Sequence, residues 1–190
     1  MATEGTLLWE PSEEQIANAN ITRYMTWLSE THGLEFTSYG ALWNWSASDL
    51  EAFWASIWDF FGIKAHKPYA QVLSGRVMPG AKWFSGAQLN YTEHVCSRND
   101  EHTAIEFRNE GGDTRILSYR ELNHQVASVA AGLRRLGVIQ GDRVAAYIPN
   151  IPEAVVAFLA TASIGAVWSS CSPDFGARNV IDRFQQIEPT

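Results

Sequence analysis

Residues 141–176 read GDRVAAYIPNIPEAVVAFLATASIGAVWSSCSPDFG, and this stretch decides the fold. Its first part, at 144–148, is a short apolar segment typical of a buried strand. Pro152 is a residue favoured in the first turn of a helix, and Gly165 is one that ends helices. A second apolar segment follows at 166–171. Strand, helix and strand in this order predict a βαβ crossover, which requires a parallel sheet.

The helix inside this crossover is apolar on nearly every face between residues 152 and 164. A helix with that pattern is expected to be buried all round. The last helix is expected to begin at Asp174 as its N-cap and to end before Pro189. Its inward residues are predicted to be Val180, Ile181, Phe184 and Ile187.

Upstream of the crossover, the pattern predicts a hairpin and two helices. Residues 102–107 and 115–117 flank a Gly-rich turn at 109–113, which favours a hairpin. The capping box SYRE at 118–121 begins a helix that ends at Gly137, and a short helix is expected at 90–98.

The first part of the chain has a helical pattern. A capping box at 12–15 begins an amphipathic helix that is expected to run to Gly33. A second box at 48–51 precedes a strongly periodic aromatic helix that Gly62 ends. Residues 64–90 are rich in glycine and proline and are expected to form an irregular connection.

These elements predict an α/β fold made of a helical extension, residues 1–98, and the start of a mostly parallel βαβ subdomain, residues 99–190. Two parallel strands are too few for such a sheet, because parallel sheets have several strands and are covered on both faces. The second strand would also lie at an exposed edge. We therefore expect the subdomain to be incomplete in this chain.

Composition excludes several classes of function. With 14 basic and 21 acidic residues the net charge is −7, which disfavours a nucleic-acid partner. Two cysteines are too few for a disulfide framework or a zinc site and fit a reducing, cytoplasmic environment. A signal peptide and a membrane-spanning apolar run are both absent from the sequence, so no membrane partner is expected.

The common catalytic motifs are also missing. The nearest approach to a phosphate-binding P-loop is GRVMPGAKW at 75–83, where the Lys is displaced, Pro79 removes an N–H donor and Trp83 replaces the hydroxyl. A dinucleotide fingerprint, a hydrolase elbow and histidines at metal spacing do not occur. No catalytic and no metal-binding residue is therefore assigned.

Two motifs carry a family resemblance. ILSYREL at 116–122, and IGAV at 164–167 followed by Pro173, resemble the two core motifs of the acyl-CoA synthetases. These are adenylate-forming ligases that join a carboxylic acid to coenzyme A at the expense of ATP. The segments WSSCSPDFG at 168–176 and WFSGAQLNY at 83–91 resemble the branch that activates acetoacetate more than the branch that activates acetate. The acetate branch usually has FGGFS where this chain has SPDFG.

The resemblance implies the adenylate-forming ligase fold and, for the full-length enzyme, the use of ATP, Mg²⁺, CoA and a small-molecule acid. The family's phosphate loop, ribose-binding Asp and late catalytic Lys are expected after residue 190. The chain is thus expected to be an amino-terminal fragment whose main partner is the rest of its own polypeptide. Alone, it is expected to be inactive and to bind no cofactor.

One site is implied within the chain. In related acetyl-CoA synthetases the turn that corresponds to residues 172–176 helps to seat the adenine end of CoA, so Phe175 and Gly176 are the candidate CoA-binding residues. The position suits a ligand, because open α/β sheets bind ligands beyond the carboxyl ends of their strands. A purely structural role, with Asp174 capping the last helix, is the alternative for this turn.

Two other functions stay open at this stage. The chain fits an acetyl- or propionyl-CoA synthetase if the acid is different. It fits a non-catalytic interaction module if the aromatic helix at 48–61 is a binding surface.

Overall fold

The computed structural model describes residues 3–190. The chain divides into two compact units, residues 1–88 and 89–190. The functional boundary expected between residues 98 and 99 stays a prediction.

The amino-terminal unit is mostly helical, as predicted. Its elements are α1 (Glu13–Ala17), α2 (Asn20–His32), α3 (Tyr39–Ser48), α4 (Leu50–Phe60), β1 (Gln71–Leu73) and β2 (Trp83–Ser85). The capping box at Ser12 is confirmed, because its hydroxyl accepts from the Gln15 N–H and the Gln15 side chain accepts from the Ser12 N–H.

The single helix predicted to follow this box is wrong, since two helices occupy that stretch. α1 ends at Ala17, and Ala19 has extended backbone before α2 begins. Asparagine side chains compete for backbone hydrogen bonds, and Asn18 and Asn20 flank the break. The hydroxyl of Thr22 donates a 2.6 Å hydrogen bond back to the Ile16 carbonyl and so bridges the two helices.

The capping box predicted at Ser48 is also wrong. Ser48 is the last residue of α3, a helix that sequence reasoning missed, and its hydroxyl donates backwards to the Trp45 carbonyl at 3.2 Å. Asp49 is the N-cap of α4 instead, and its carboxylate accepts from the Ala52 N–H at 3.1 Å. The predicted aromatic helix therefore exists, with a different cap.

Residues 64–90 are less irregular than expected. β1 and β2 pair antiparallel, with Gln71 opposite Ser85 and Leu73 opposite Trp83. Strands of three residues are too short to show a period of two in the sequence, which is why they were missed.

The core of this unit is aromatic. Tyr24 and Leu28 of α2 and Leu42 of α3 are buried, and the ring of Phe60 lies 5.0 Å from the ring of Tyr24. The Tyr24 hydroxyl and the hydroxyl of buried Ser56 are hydrogen-bonded at 2.5 Å, which joins α2 to α4.

The carboxy-terminal unit holds the predicted crossover. Its elements are α5 (Tyr91–Val95), β3 (Thr103–Arg108), β4 (Thr114–Ser118), α6 (Tyr119–Arg135), β5 (Arg143–Tyr147), α7 (Pro152–Ser163), β6 (Val167–Cys171) and α8 (Ala177–Ile187). β3 and β4 form the predicted antiparallel hairpin. The capping box at Ser118 is confirmed at the start of α6.

β5 and β6 are parallel, with Arg143 opposite Val167 and Tyr147 opposite Cys171, so the βαβ prediction is confirmed. Glu153 is the one exposed residue of α7, which confirms that this helix is buried nearly all round. α7 packs on α6 through a cluster of six buried residues, Leu122, Val126, Ala130, Val156, Leu159 and Ala160.

Two details of α8 differ from prediction. Asp174 is not its N-cap, because the helix begins after Gly176 and has no side-chain cap. Ile181 is 55% exposed, whereas Val180 is buried. Successive helix positions differ by about 100°, so a helix that buries Val180 turns its neighbour Ile181 towards the exposed side.

Candidate functional site

The turn at residues 172–176 lies between β6 and α8, beyond the carboxyl end of a parallel strand. Cys171 is the last residue of β6 and is buried, whereas Ser172, Pro173 and Asp174 are exposed. The Phe175 N–H donates a 3.0 Å hydrogen bond to the Ser172 carbonyl and closes the turn. The sequence-predicted site is therefore a surface loop beyond the carboxyl end of β6, the kind of position where open α/β sheets bind ligands.

Tyr147 holds this turn from the neighbouring strand. It ends β5 opposite Cys171, and its hydroxyl contacts two carbonyl oxygens, that of Pro173 at 2.8 Å and that of Phe175 at 2.9 Å. The hydroxyl has one proton, so the two carbonyls share a single donor. Sequence reasoning used Tyr147 only as a strand residue and missed this contact.

Arg183 lies over the ring of Phe175. Its guanidinium carbon is 4.6 Å from the ring centroid, which is within the range of a cation–π interaction. The Phe175 side chain is half-buried, although the residues before it are exposed. Nothing in the sequence around Arg183 indicates a partner eight residues upstream.

Gly176 leaves the backbone open at the start of α8. Nothing lies within 4 Å of the position that a Cβ atom would take there. The first N–H groups of a helix have no partner inside the helix, and no side chain caps α8. The space beside the Cα atom of Gly176 is therefore open.

Cys171 adjoins this turn as the last residue of β6, but it is buried. Within residues 3–190, no group of three or more His, Cys, Asp or Glu side chains is placed to hold a metal ion. Over the same residues, none of the helices combines the length and apolarity that a membrane span requires.

Comparison with known families identifies two matching regions. The family model described as "AMP-binding enzyme" matches residues 92–190, and the model described as "Acetyl-coenzyme A synthetase N-terminus" matches residues 39–95. The first covers essentially the whole carboxy-terminal unit, including the crossover and the 172–176 turn.

The relatives agree with these matches. Acetoacetyl-coenzyme A synthetase of Rhizobium meliloti (strain 1021) is 38% identical over 182 residues, which are 96% of this chain and 28% of that protein. Acetoacetyl-CoA synthetase of Danio rerio is 38% identical over 190 residues, covering 98% of this chain and 28% of its own length. The chain thus spans just over a quarter of the curated relatives it matches.

A solved structure gives the same result for the fold. Acetoacetyl-CoA synthetase from Streptomyces lividans superposes with a TM-score of 0.86 at 50% identity, over 95% of this chain and 29% of that one. The resemblance to the acyl-CoA synthetases and the predicted α/β fold are confirmed. Since the match covers more than half of the chain and includes its βαβ crossover, this chain belongs to the AMP-binding enzyme family.

Proposed function

We propose that this chain is the amino-terminal portion of an ATP-dependent acid–thiol ligase that converts acetoacetate, ATP and CoA into acetoacetyl-CoA, AMP and pyrophosphate. One observation carries the proposal: the similarity to acetoacetyl-CoA synthetases extends over 96 to 98% of the chain, in the helical extension as well as in the crossover. The 50% identity to the Streptomyces lividans enzyme supports it over both units.

The proposed reaction has two displacements. A carboxylate oxygen of the acid forms a bond to the α-phosphorus of ATP, and the bond from that phosphorus to the bridging oxygen breaks, releasing pyrophosphate. The CoA sulfur then bonds to the acyl carbon, the bond between that carbon and the AMP oxygen breaks, and the thiol proton leaves to solvent. No redox partner is needed at either step.

The chain itself supplies scaffold rather than catalytic groups. We propose that residues 1–98 are the extension and that residues 99–190 begin the AMP-binding domain. The three lysines, Lys64, Lys67 and Lys82, lie in no phosphate-binding motif. We assign no residue of this chain to ATP or Mg²⁺, because the family's phosphate loop is expected after residue 190, and no step is placed on the metal here.

CoA is the one cofactor for which this chain offers a contact, at Phe175 and Gly176. The open backbone at Gly176 and the half-buried ring of Phe175 suit the flat adenine end of CoA. Arg183 supplies a positive charge beside that ring, which attracts an anionic ligand. We further propose a cytoplasmic location and neither nucleic-acid nor membrane partners, consistent with the net charge of −7.

The test is pyrophosphate release by the complete polypeptide that contains this chain. With acetoacetate and ATP but no CoA, about one equivalent of pyrophosphate per enzyme is expected, because the adenylate stays bound. Adding CoA should start steady turnover and form the thioester. Absence of acid-dependent release would overturn the proposed ligase activity.

A second candidate is an acetyl- or propionyl-CoA synthetase, which is favoured by the family model matched at residues 39–95. The same assay separates the two when acetate or propionate replaces acetoacetate at equal concentration. A higher kcat/KM for acetate or propionate would keep the ligase class and change the acid.

A further inference from the structure

Tyr147 has an unusual place relative to the proposed CoA contact. It belongs to β5, whereas the turn at 172–176 follows β6, so its hydroxyl reaches a segment 26 to 28 residues further along the chain. The two carbonyls that it contacts, those of Pro173 and Phe175, lie on either side of Asp174. One side chain therefore fixes both ends of the most exposed part of the turn.

Little else is available to hold this segment. Ser172, Pro173 and Asp174 are exposed, so packing cannot fix their backbone, and one hydrogen bond between Ser172 and Phe175 closes the turn on itself. A short exposed loop with few contacts samples several conformations unless something outside it restrains it. The Tyr147 hydroxyl is such a restraint, because the backbone of Tyr147 belongs to a strand that is paired with β6.

The second restraint on the turn is on the side chain of Phe175. The Arg183 guanidinium lies over the ring, while Tyr147 holds the Phe175 carbonyl. Phe175 is thus held at its main chain from β5 and at its ring from α8. The residue that follows is Gly176, so the same restraints set the direction in which the open backbone of Gly176 faces.

We infer that Tyr147 is a positioning residue for CoA, which acts by holding Phe175 and Gly176 in the orientation that receives it. The inference rests on the proposed function. It deepens that proposal by naming a residue of β5 that is needed for the second step, in which CoA reacts, and not for the first step, in which pyrophosphate is released. A contact residue that is already held in its bound conformation raises the affinity, because less conformational entropy is lost when the ligand binds.

The test is Tyr147→Phe in the complete polypeptide. This variant keeps the ring and removes only the oxygen that contacts the turn. We expect the KM for CoA to rise three- to tenfold, with a much smaller change in acid-dependent pyrophosphate release without CoA. The matched control is Tyr91→Phe, which removes the hydroxyl of another exposed tyrosine in the same unit and should leave both half-reactions unchanged.

A second readout follows the turn directly. Hydrogen exchange of the Phe175 amide, which the turn protects through its bond to Ser172, should be at least threefold faster in Tyr147→Phe than in the parent or in Tyr91→Phe. Tyr147 is 51% exposed, so the melting temperature should change little. An equal fall in both half-reactions, or an unchanged rate of exchange, would overturn the positioning role.

The two possible failures can be told apart. If the parent polypeptide shows no acid-dependent release of pyrophosphate, the proposed function is wrong and the role of Tyr147 is wrong with it. If the parent forms the thioester but Tyr147→Phe has a normal KM for CoA, the ligase proposal stands and only the positioning role is overturned.

Discussion

The hydroxyl of Thr92 donates a 2.9 Å hydrogen bond to the main-chain oxygen of Leu159, joining α5 to α7 across 67 residues of sequence. Thr92 is 4% exposed and Leu159 is 2% exposed, so this bond is shielded from water. The neighbouring N-cap residue, Asn90, adds a second link, because its amide nitrogen donates to the Ala162 carbonyl at 2.9 Å. A helix of only five residues is thereby fixed to the buried helix of the crossover.

Replacing Thr92 by Val is expected to destabilise the carboxy-terminal unit by about 1 kcal/mol. Val keeps the shape of the side chain and removes the donor, so the loss reports the hydrogen bond rather than a cavity. Urea denaturation of this chain measures it. Thr103→Val is the control, since Thr103 is exposed on β3 and the same exchange should be nearly neutral there. Equal stability of the two variants would show that the Thr92 bond contributes nothing.

A second prediction concerns Gly165, which ends the crossover helix at a φ of +77°. Any other residue is strained in this left-handed conformation by about 1 to 2 kcal/mol, and a Cβ atom would lie 3.0 Å from the Cγ of Gln140. Gly165→Ala should therefore lower the free energy of unfolding by about that amount, with a small shift of the Gln140 side chain.

Gly132 is the matched control for this substitution. It lies inside α6 with helical backbone, and an added Cβ would be 3.8 Å from the Arg135 side chain, an ordinary contact. Gly132→Ala should therefore stabilise the chain by about 0.5 to 1 kcal/mol, because alanine loses less conformational entropy in a helix. Changes of the same sign at both positions would contradict the assignment of strain to Gly165.

The helices and strands of the carboxy-terminal unit were predicted closely from its sequence, because the local sequence patterns there agree with one another. At Ser118 the capping box, the apolar stripe and Gly137 all indicate one helix, and α6 begins at Tyr119 as expected. In the amino-terminal unit the local signals conflict. Ser48 satisfies the pattern of a capping box, yet it is the last residue of α3. Where two helices are adjacent, the local sequence does not show to which of them a residue at the boundary belongs.

The position of the 172–176 turn was predictable from the sequence, whereas the contacts that support it were not. The place of the 172–176 turn follows from the strand before it, so the sequence locates the turn with Phe175 and Gly176 at the sheet edge. Tyr147 and Arg183 support it from another strand and from the next helix. Such contacts depend on which strands are neighbours and on where α8 begins, and neither is encoded in the spacing around the turn.

A third prediction concerns activity. The 190-residue chain by itself should release no pyrophosphate from ATP with acetoacetate, because none of Lys64, Lys67 and Lys82 lies in a phosphate-binding motif. Pyrophosphate release is measured at the enzyme concentration that gives turnover with the complete polypeptide. Acid-dependent release by the chain alone would place the catalytic groups within it and contradict the assignment of a scaffold role.

A fourth prediction follows from the bond between Tyr24 and Ser56. Burial raises the pKa of the Tyr24 hydroxyl above its ordinary value of 10.0, and the hydrogen bond with Ser56 lowers it in part. The unfolded chain then loses this proton before the folded chain does, so the stability from Tyr24 is present below pH 10 and is lost as pH rises through the folded pKa.

Tyr24→Phe tests this directly. At neutral pH the variant should lose about 0.5 to 1.5 kcal/mol, the net value of one buried hydrogen bond. The difference from the parent should shrink above the ordinary tyrosine pKa, because the parent loses stability there and the variant has no proton to lose at this position. Tyr39→Phe, at a 66% exposed site, is the control at neutral pH. A difference that stays constant into the alkaline range would contradict the raised pKa.

The last prediction concerns the ion pair that ties the hairpin to the crossover helix. The Arg115 guanidinium on β4 donates two hydrogen bonds to the Glu153 carboxylate in the first turn of α7, at 2.8 and 2.7 Å. These bonds hold the pKa of Glu153 below its ordinary value of 4.5, and a bond from its own backbone N–H contributes further. A carboxyl with a lowered pKa stabilises the fold above the pKa of the unfolded state, and this contribution is lost as pH falls through the folded value.

Both side chains are about half exposed, at 49% and 51%, so solvent screens the pair and its effect on stability is expected to be small. Arg115→Gln should shift the Glu153 titration, followed by carboxyl NMR, back towards the ordinary value, and should slightly lower stability at neutral pH but not below the pKa of the carboxyl. Arg108→Gln removes the same charge from an exposed position at the end of β3 and should leave the Glu153 titration in place. If both variants shift it equally, the general field of the hairpin lowers the pKa of Glu153, and the bidentate pair with Arg115 does not.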